Sequence, residues 1–299
     1  MGLPDFDFLL SAAASRPFAF IVGWPVSHSR SPLLHGFWLK EHGIAGHYGR
    51  LAVEPGGEAL RATFEFIRRT PGARGCNLTL PHKIDAPALL DAVTPEAQRI
   101  GAVNTVVKRP DGSLEGRNTD TFGFIEALRT DAAGWRPSAT PAVVLGAGGA
   151  ARAVIAALVD AGVPEVRLVN RTRQTAIDLA VHFAPDDGRT LAVEDWSRRD
   201  ATLAGAGLLV NTTSLGMAGQ PALELDLAAL PPGALVNDVV YVPLRTDLLI
   251  RAGARGNPVV DGLSMLLHQG RPGFAAWFGG AEPAVTPALR KAVAGDLGA

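Results

Sequence analysis

Cysteine occurs once in this chain, at Cys76, so no intrachain disulfide can form and no zinc site can be built on clustered thiolates. A lone cysteine fits a reducing compartment. Charge of one sign is also missing. Lys and Arg number 28 against 29 Asp and Glu, a formal net charge of −1, which argues against nucleic-acid binding through bulk positive charge. The seven histidines form no HExxH pattern, and His28, His35, His42 and His47 are scattered through loops and helix ends, so no metal is expected. No apolar run approaches the roughly eighteen residues of a membrane span. The opening MGLPDFDFLLSAAASRP lacks the basic start and unbroken apolar core of a secretory signal. These absences predict a soluble, cytoplasmic protein with neither nucleic-acid nor membrane partners.

What is present is apolar content and punctuation. Hydrophobic residues make up 47% of 299, enough for large cores, and 34 Gly with 22 Pro break the chain into many short elements. In the first half, strands are expected at 17–23, 47–53 and 72–80. Helices are expected at 29–43, 57–70 and 83–93, with Ser31 capping the first and Pro32 in its first position. Residues 103–118 read as a hairpin closed at Asp111-Gly112. A helix at 121–134 leads into the Pro-bearing connector 135–141. Beyond it, strands at 141–145, 165–172, 190–193, 207–213, 234–241 and 257–261 alternate with helical stretches, the rhythm of a doubly wound dinucleotide-binding domain. The tail reads as two helices. The expected fold is α/β in two domains. Residues 1–120 with 264–299 make a mostly parallel α/β sandwich for substrate, and 121–263 make a Rossmann-type domain for NADP.

The second half carries GAGGAA at 146–151, a G-x-G-x-x-A turn between an apolar strand and an Ala-rich helix. Gly146 suits the tight turn, Gly148 lets the backbone approach a pyrophosphate, and Ala151 is small enough for close helix–sheet packing. The helix N-terminus offers free N–H groups and a positive dipole end. The next strand ends in Asn170-Arg171-Thr172-Arg173, where an NAD site usually has a carboxylate. Two guanidinium groups and a hydroxyl suit a 2′-phosphate instead, which selects NADP.

Three polar clusters mark strand ends of the first half: SHSRSP (27–32), NLTLPHK (77–83), and GAVNT (101–105) with GRNTD (116–120). Singly, Ser29 and Ser31 read as caps, Asn104 as a turn residue, Asp120 as a helix N-cap, His82 as a solvated neighbour and Lys83 as a surface charge. Beside a dinucleotide domain, the clusters suit a small polyhydroxylated acid.

GWPVSHSRSPLLH, GCNLTLPHK, GAVNT, GRNTD, GAGGAARA, NRT, NTTSLGM (211–217), DVVYVP (238–243) and DGLSMLLHQ (261–269) occur in the order found in shikimate dehydrogenases, and the chain resembles that family over about residues 17–278. The resemblance implies Lys83 as catalytic lysine and Asp120 as its paired carboxylate. It implies Ser29 and Ser31 on the substrate carboxylate, and Asn77, Thr79, Asn104, Asp120 and Gln269 around ring hydroxyls, with Tyr241 nearby. For the cofactor it implies Gly146, Gly148, Gly149 and Ala150 along the pyrophosphate. Asn170, Arg171 and Thr172, with Arg173, take the adenosine phosphate, and Thr212, Ser214, Met217, Gly262 and Met265 lie toward the nicotinamide. The sequence departs from the family where Trp24 replaces a residue that is often small and polar, and where Ser264 replaces a common Gly. The implied activity is NADP-dependent, reversible reduction of 3-dehydroshikimate to shikimate in aromatic amino-acid biosynthesis, in a cleft between two domains of a monomer or homodimer. A quinate/shikimate dehydrogenase of dual specificity and a non-catalytic NADP sensor are the alternatives.

Overall fold

Apolar runs bounded by Gly and Pro become strands, and the amphipathic runs between them become helices, in the computed structural model, which describes residues 4–13, 16–137, 139–184, 190–295 and 297. The chain divides into two units: 1–119 with 269–293, and 120–268 with 294–299.

The first unit contains α1 (Phe6–Ala13), β1 (Phe18–Gly23), α2 (Ser31–Glu41), β2 (His47–Ala52), α3 (Gly57–Arg69), β3 (Ala73–Leu78), β4 (Ala92–Val93), α4 (Pro95–Ile100), β5 (Thr105–Lys108) and β6 (Leu114–Arg117). Its sheet runs β2-β1-β3-β5-β6-β4. The β1 strand is parallel to β2 and β3, and β5 is antiparallel to β3 and β6. All six residues of β1 are buried, as a central parallel strand covered on both faces requires. Helix α3 buries Leu60, Thr63, Phe64 and Ile67, one face at helical spacing, and joins a core with Phe18, Phe20, Leu78 and Val106. The hairpin turn is held by Asp111, whose carboxylate accepts from the Ser113 backbone and hydroxyl.

Two expectations fail here. Residues 83–93 are not a helix. They form turns, a 3-10 segment at Ala86–Leu89 and the two-residue β4, which pairs with β6. Pro87 denies the segment a backbone donor, and between it and Pro81 just upstream there are too few residues for a helix to propagate. Nor is Ser31 the cap of α2. Arg30 occupies that position, Ser31 rather than Pro32 is the first helical residue, and the Ser29 hydroxyl accepts from the Ser31 N–H.

The second unit contains α5 (Asp120–Asp131), β7 (Ala142–Leu145), α6 (Gly149–Asp160), β8 (Glu165–Asn170), α7 (Arg173–His182), β9 (Thr190–Asp195), β10 (Leu208–Asn211), β11 (Leu235–Asp238), α8 (Asp247–Ala254), β12 (Val259–Val260) and the start of α9 (Gly262–Phe278). Its sheet is parallel throughout, in the order β12-β11-β10-β7-β8-β9. This is the doubly wound dinucleotide-binding arrangement, whose order reverses beside β7 and so places the turn after β7 at the ligand-binding end. Helix α9 passes into the first unit at Gln269, and α10 (Pro287–Ala294) follows.

Candidate active site

In the first unit, the polar residues at the strand ends form a hydrogen-bonded pair, Ser29 with Ser31, and a hydrogen-bonded chain from Tyr48 to Gln269. The Ser29 hydroxyl donates to the Ser31 hydroxyl at 3.3 Å. Ser31 lies near enough to the phenol of Tyr48 to influence its titration, and Tyr48 donates to Asn77 Oδ1 at 2.5 Å. Asn77 Nδ2 donates to the Asn104 carbonyl and to Thr105 Oγ1, each at 3.1 Å. Thr105 Oγ1 donates to Asn104 Oδ1 at 2.9 Å, and Asn104 Nδ2 donates to Thr119 Oγ1 at 3.0 Å and Gln269 Oε1 at 3.3 Å. Ser29, Ser31, Asn77, Asn104 and Gln269, selected from sequence, are thus brought together and are all buried. Tyr48, Thr105 and Thr119 belong to the chain and were not selected. Arg50 was not selected either, and its guanidinium donates twice to the Ser29 carbonyl, at 2.7 and 3.2 Å. The alternation of HYGRLA marks the buried face of that strand, but no local signal names the partners of Tyr48 or Arg50.

Lys83 is half-buried in the turn that follows β3. The turn that carries it is held by three backbone bonds, one of them to Lys83 itself. The Val103 N–H donates to the Lys83 carbonyl at 2.8 Å, the His82 N–H donates to Thr79, and the Ala86 N–H donates to His82. His82 is buried rather than solvated, and its Nε2 is 2.8 Å from the Val53 carbonyl, so the ring ties the lysine turn to the end of β2. Burial holds the His82 imidazole below its ordinary pKa, against that hydrogen bond and the charge of Asp85. Thr79 is half-buried, its N–H donating to Val22. Trp24 is exposed, and its N–H donates to the Leu80 carbonyl. Asp120 is buried and opens α5, on the second unit.

In that unit, the turn after β7 has a built shape. Gly146 sits at φ +105°, and a Cβ there would lie 2.6 Å from Thr212 Oγ1, which itself donates to the Leu145 carbonyl at 2.7 Å. Only glycine fits that approach. Gly148 caps α6 with no side-chain cap, and a Cβ on it would meet nothing within 4 Å, so the helix N-terminus faces open space. Gly149 is buried and Ala150 half-buried on the first turn. At the end of β8, Asn170 Nδ2 donates to the Thr172 carbonyl at 2.9 Å and folds the turn that exposes Arg171, Thr172 and Arg173. Arg173 pairs with Asp195 at 2.8 Å, whereas Arg171 has no ion-pair partner among the described residues. An open helix N-terminus beside a cationic strand end matches the donor set of a phosphorylated dinucleotide, and these residues fit NADP.

The loop after β10 is braced internally. Asn211 Oδ1 accepts from the Thr213 N–H and hydroxyl, and Asn211 Nδ2 donates to Leu215 and to Asp238. Thr212, Ser214 and Met217 are half-buried on it. Tyr241 is half-buried in the loop after β11. Gly262, Ser264 and Met265 are buried in the first turn of α9, where the Asp261 carboxylate accepts from the N–H groups of Leu263 and Ser264.

Residues 21–106 match the model of the shikimate dehydrogenase substrate binding domain. Over 272 residues the chain is 58% identical to the NADP-dependent shikimate dehydrogenase of Paramagnetospirillum magneticum, spanning 91% of this chain and 96% of that protein. The chain belongs to the shikimate dehydrogenase family. Among solved structures, shikimate 5-dehydrogenase of Thermus thermophilus, in complex with NADP(H) and shikimate, is 41% identical with a TM-score of 0.79, covering 92% of this chain and 98% of that one. The quinate dehydrogenase of Corynebacterium glutamicum, in complex with NAD, is 31% identical with a TM-score of 0.83, covering 93% and 98%. Like a shikimate dehydrogenase in these comparisons, the chain has an α/β substrate-side sheet and a parallel, Rossmann-type sheet. Among the described residues there is no cluster of His, Cys, Asp and Glu able to hold a metal, and no helix long and apolar enough to cross a membrane.

Proposed function

We propose that this protein is an NADP-dependent oxidoreductase that interconverts shikimate and 3-dehydroshikimate. The observation that carries the reading is the buried polar set formed by the Ser29–Ser31 pair and the hydrogen-bonded chain from Tyr48 to Gln269. It is a polar, solvent-shielded surface of hydroxyls and carboxamides, suited to a small polyhydroxylated acid and not to an apolar ligand. Ser29 and Ser31, at the start of α2, take the substrate carboxylate. Asn77, Thr79, Asn104 and Gln269 shape the pocket for ring hydroxyls, with Tyr241 beside it, and Asp120 is the carboxylate partner of Lys83.

The bound cofactor supplies or receives the hydride. Reduction of the ketone leaves negative charge on its oxygen. Lys83 stabilises that charge and delivers the proton, and in the reverse direction it takes the hydroxyl proton. The turn that carries Lys83 is held by Val103, His82 and Ala86, so the ammonium starts from a fixed backbone rather than from a mobile helix end. Gly146, Gly148, Gly149 and Ala150 cradle the pyrophosphate. Arg171, with Asn170, Thr172 and Arg173, receives the 2′-phosphate. Thr212, Ser214, Met217, Gly262 and Met265 line the nicotinamide side.

In this reading the protein works in the cytoplasm, as a monomer or homodimer, in aromatic amino-acid biosynthesis. The first unit takes substrate and the second takes cofactor, the roles expected for 1–120 with 264–299 and for 121–263, with the divisions falling at 119/120, 268/269 and 293/294. Purified protein offered shikimate or quinate, with NADP or NAD, tests the proposal by the absorbance of reduced nicotinamide. The expected result is the highest kcat/KM with shikimate and NADP. Preference for quinate and NAD would refute it, and so would no turnover with any pair, the result a non-catalytic NADP sensor gives.

A further inference from the structure

Asn77 has little freedom. Both protons of its amide nitrogen are spent inside the protein, on the Asn104 carbonyl and Thr105 Oγ1, and one lone pair of its Oδ1 is occupied by the Tyr48 phenol. What is left toward a bound molecule is the second lone pair of Oδ1, an acceptor and nothing else. The orientation of the carboxamide therefore decides the kind of group it meets, and Tyr48 supplies one of the three bonds that set it.

Tyr48 is in turn held where it cannot move or ionise. Its ring stacks on His35 with centroids 4.0 Å apart and planes 16° from parallel, and Trp277 lies 5.9 Å away. His35 is enclosed by Trp38, Phe274 and Trp277. Burial pushes the His35 imidazole down to about 3. Asn77 is near enough to oppose that shift, yet neither ring nitrogen has a hydrogen-bond partner. The ring is therefore a neutral aromatic plate at any working pH. Burial also pushes the Tyr48 phenol well above its ordinary range, reinforced by Cys76 and opposed by the nearby Ser31, so the hydroxyl always has its proton to give.

We propose that Tyr48 is a positioning residue for substrate: its hydroxyl holds the Asn77 carboxamide and presents it to shikimate as a hydrogen-bond acceptor, selecting a ring hydroxyl that donates. The inference rests on the shikimate reading above. It assigns to the phenol no contact with the reacting atoms.

Tyr48→Phe keeps the stacked ring and removes only the hydroxyl. In the full chain it should raise the shikimate KM about tenfold, the loss of one hydrogen bond at a buried polar group, with kcat within about threefold and NADP KM unchanged. The decisive arm is Asn77→Ala. In that background Tyr48→Phe should change the shikimate KM by less than about twofold, because its effect travels through Asn77. A merely structural tyrosine predicts the opposite: effects that multiply, with kcat and both KM values moving together. An unchanged KM in Tyr48→Phe, or an increase that persists without Asn77, overturns the role while leaving the enzyme's function intact. A wild-type protein that does not turn over shikimate removes both.

Discussion

Asp238 makes stability depend on pH in a direction opposite to that of an ordinary paired carboxylate. It ends β11 with no exposed surface. Its Oδ1 accepts from Asn211 Nδ2 at 2.9 Å and the Val240 N–H at 3.0 Å, and its Oδ2 accepts from the Thr246 hydroxyl at 2.7 Å. Burial outweighs these three bonds and raises the carboxyl from 3.8 to about 6. The folded chain then binds a proton more tightly than the unfolded chain. The stabilisation is fully present below the unfolded value, about pH 4, and is lost as pH rises through the folded value of about 6. The difference of about two pH units corresponds to about 3 kcal/mol. Asp238→Asn keeps the acceptor for Asn211 and Val240 and removes the titration, and the lost acceptor of the Thr246 hydroxyl is an offset that does not change with pH. Urea unfolding of both proteins at fixed pH values between 4 and 7, each compared at the same pH, cancels the other titrating groups. Wild type should lose about 3 kcal/mol relative to Asp238→Asn across that range. Parallel stability curves, or a wild type that gains with pH, would refute the burial argument.

Other outcomes follow from the same contacts. Arg171→Ala should raise the NADP KM roughly tenfold to a hundredfold, the loss of charge-assisted phosphate bonds, with the shikimate KM within about twofold; equal changes in both constants would count against the 2′-phosphate assignment. Gly75 sits at φ +146° in β3, and a Cβ there would collide with the Val106 carbonyl, which accepts from Trp277 Nε1 at 2.9 Å. Gly75→Ala should cost about 4 kcal/mol, from backbone strain plus the displaced contact, read as a lowered urea midpoint. A cost under about 1 kcal/mol would mean the strand relaxes freely.

The second unit was the more legible half. Its strands, its glycine turn and the basic end of β8 are each encoded within a few residues, by apolar runs, a Gly pattern and an absent carboxylate. What was not visible there is Asp195, brought beside Arg173 by the pairing of β8 with β9. In the first unit the polar strand ends could be selected but not joined. Tyr48 reaches Asn77 across 29 positions of sequence, and His82 reaches Val53 across the same separation, so alternation could show that Tyr48 faces inward but not what it meets. His82 was misread for this reason: a histidine after a proline resembles a solvated turn until a carbonyl from another strand end arrives. The stretch 83–93 misled in a different way, since its apolar residues suit a helix while Pro87 permits only a turn and a short 3-10 segment.

The most direct test of the account is single-residue. Lys83→Ala, in the full chain, should lower kcat for shikimate oxidation by about a hundredfold to ten-thousandfold, the usual worth of a positioned proton-transfer group, and should leave NADPH binding within about twofold of wild type. Near-normal kcat in that variant would contradict the claim that this lysine, at the end of GCNLTLPHK, does the chemistry.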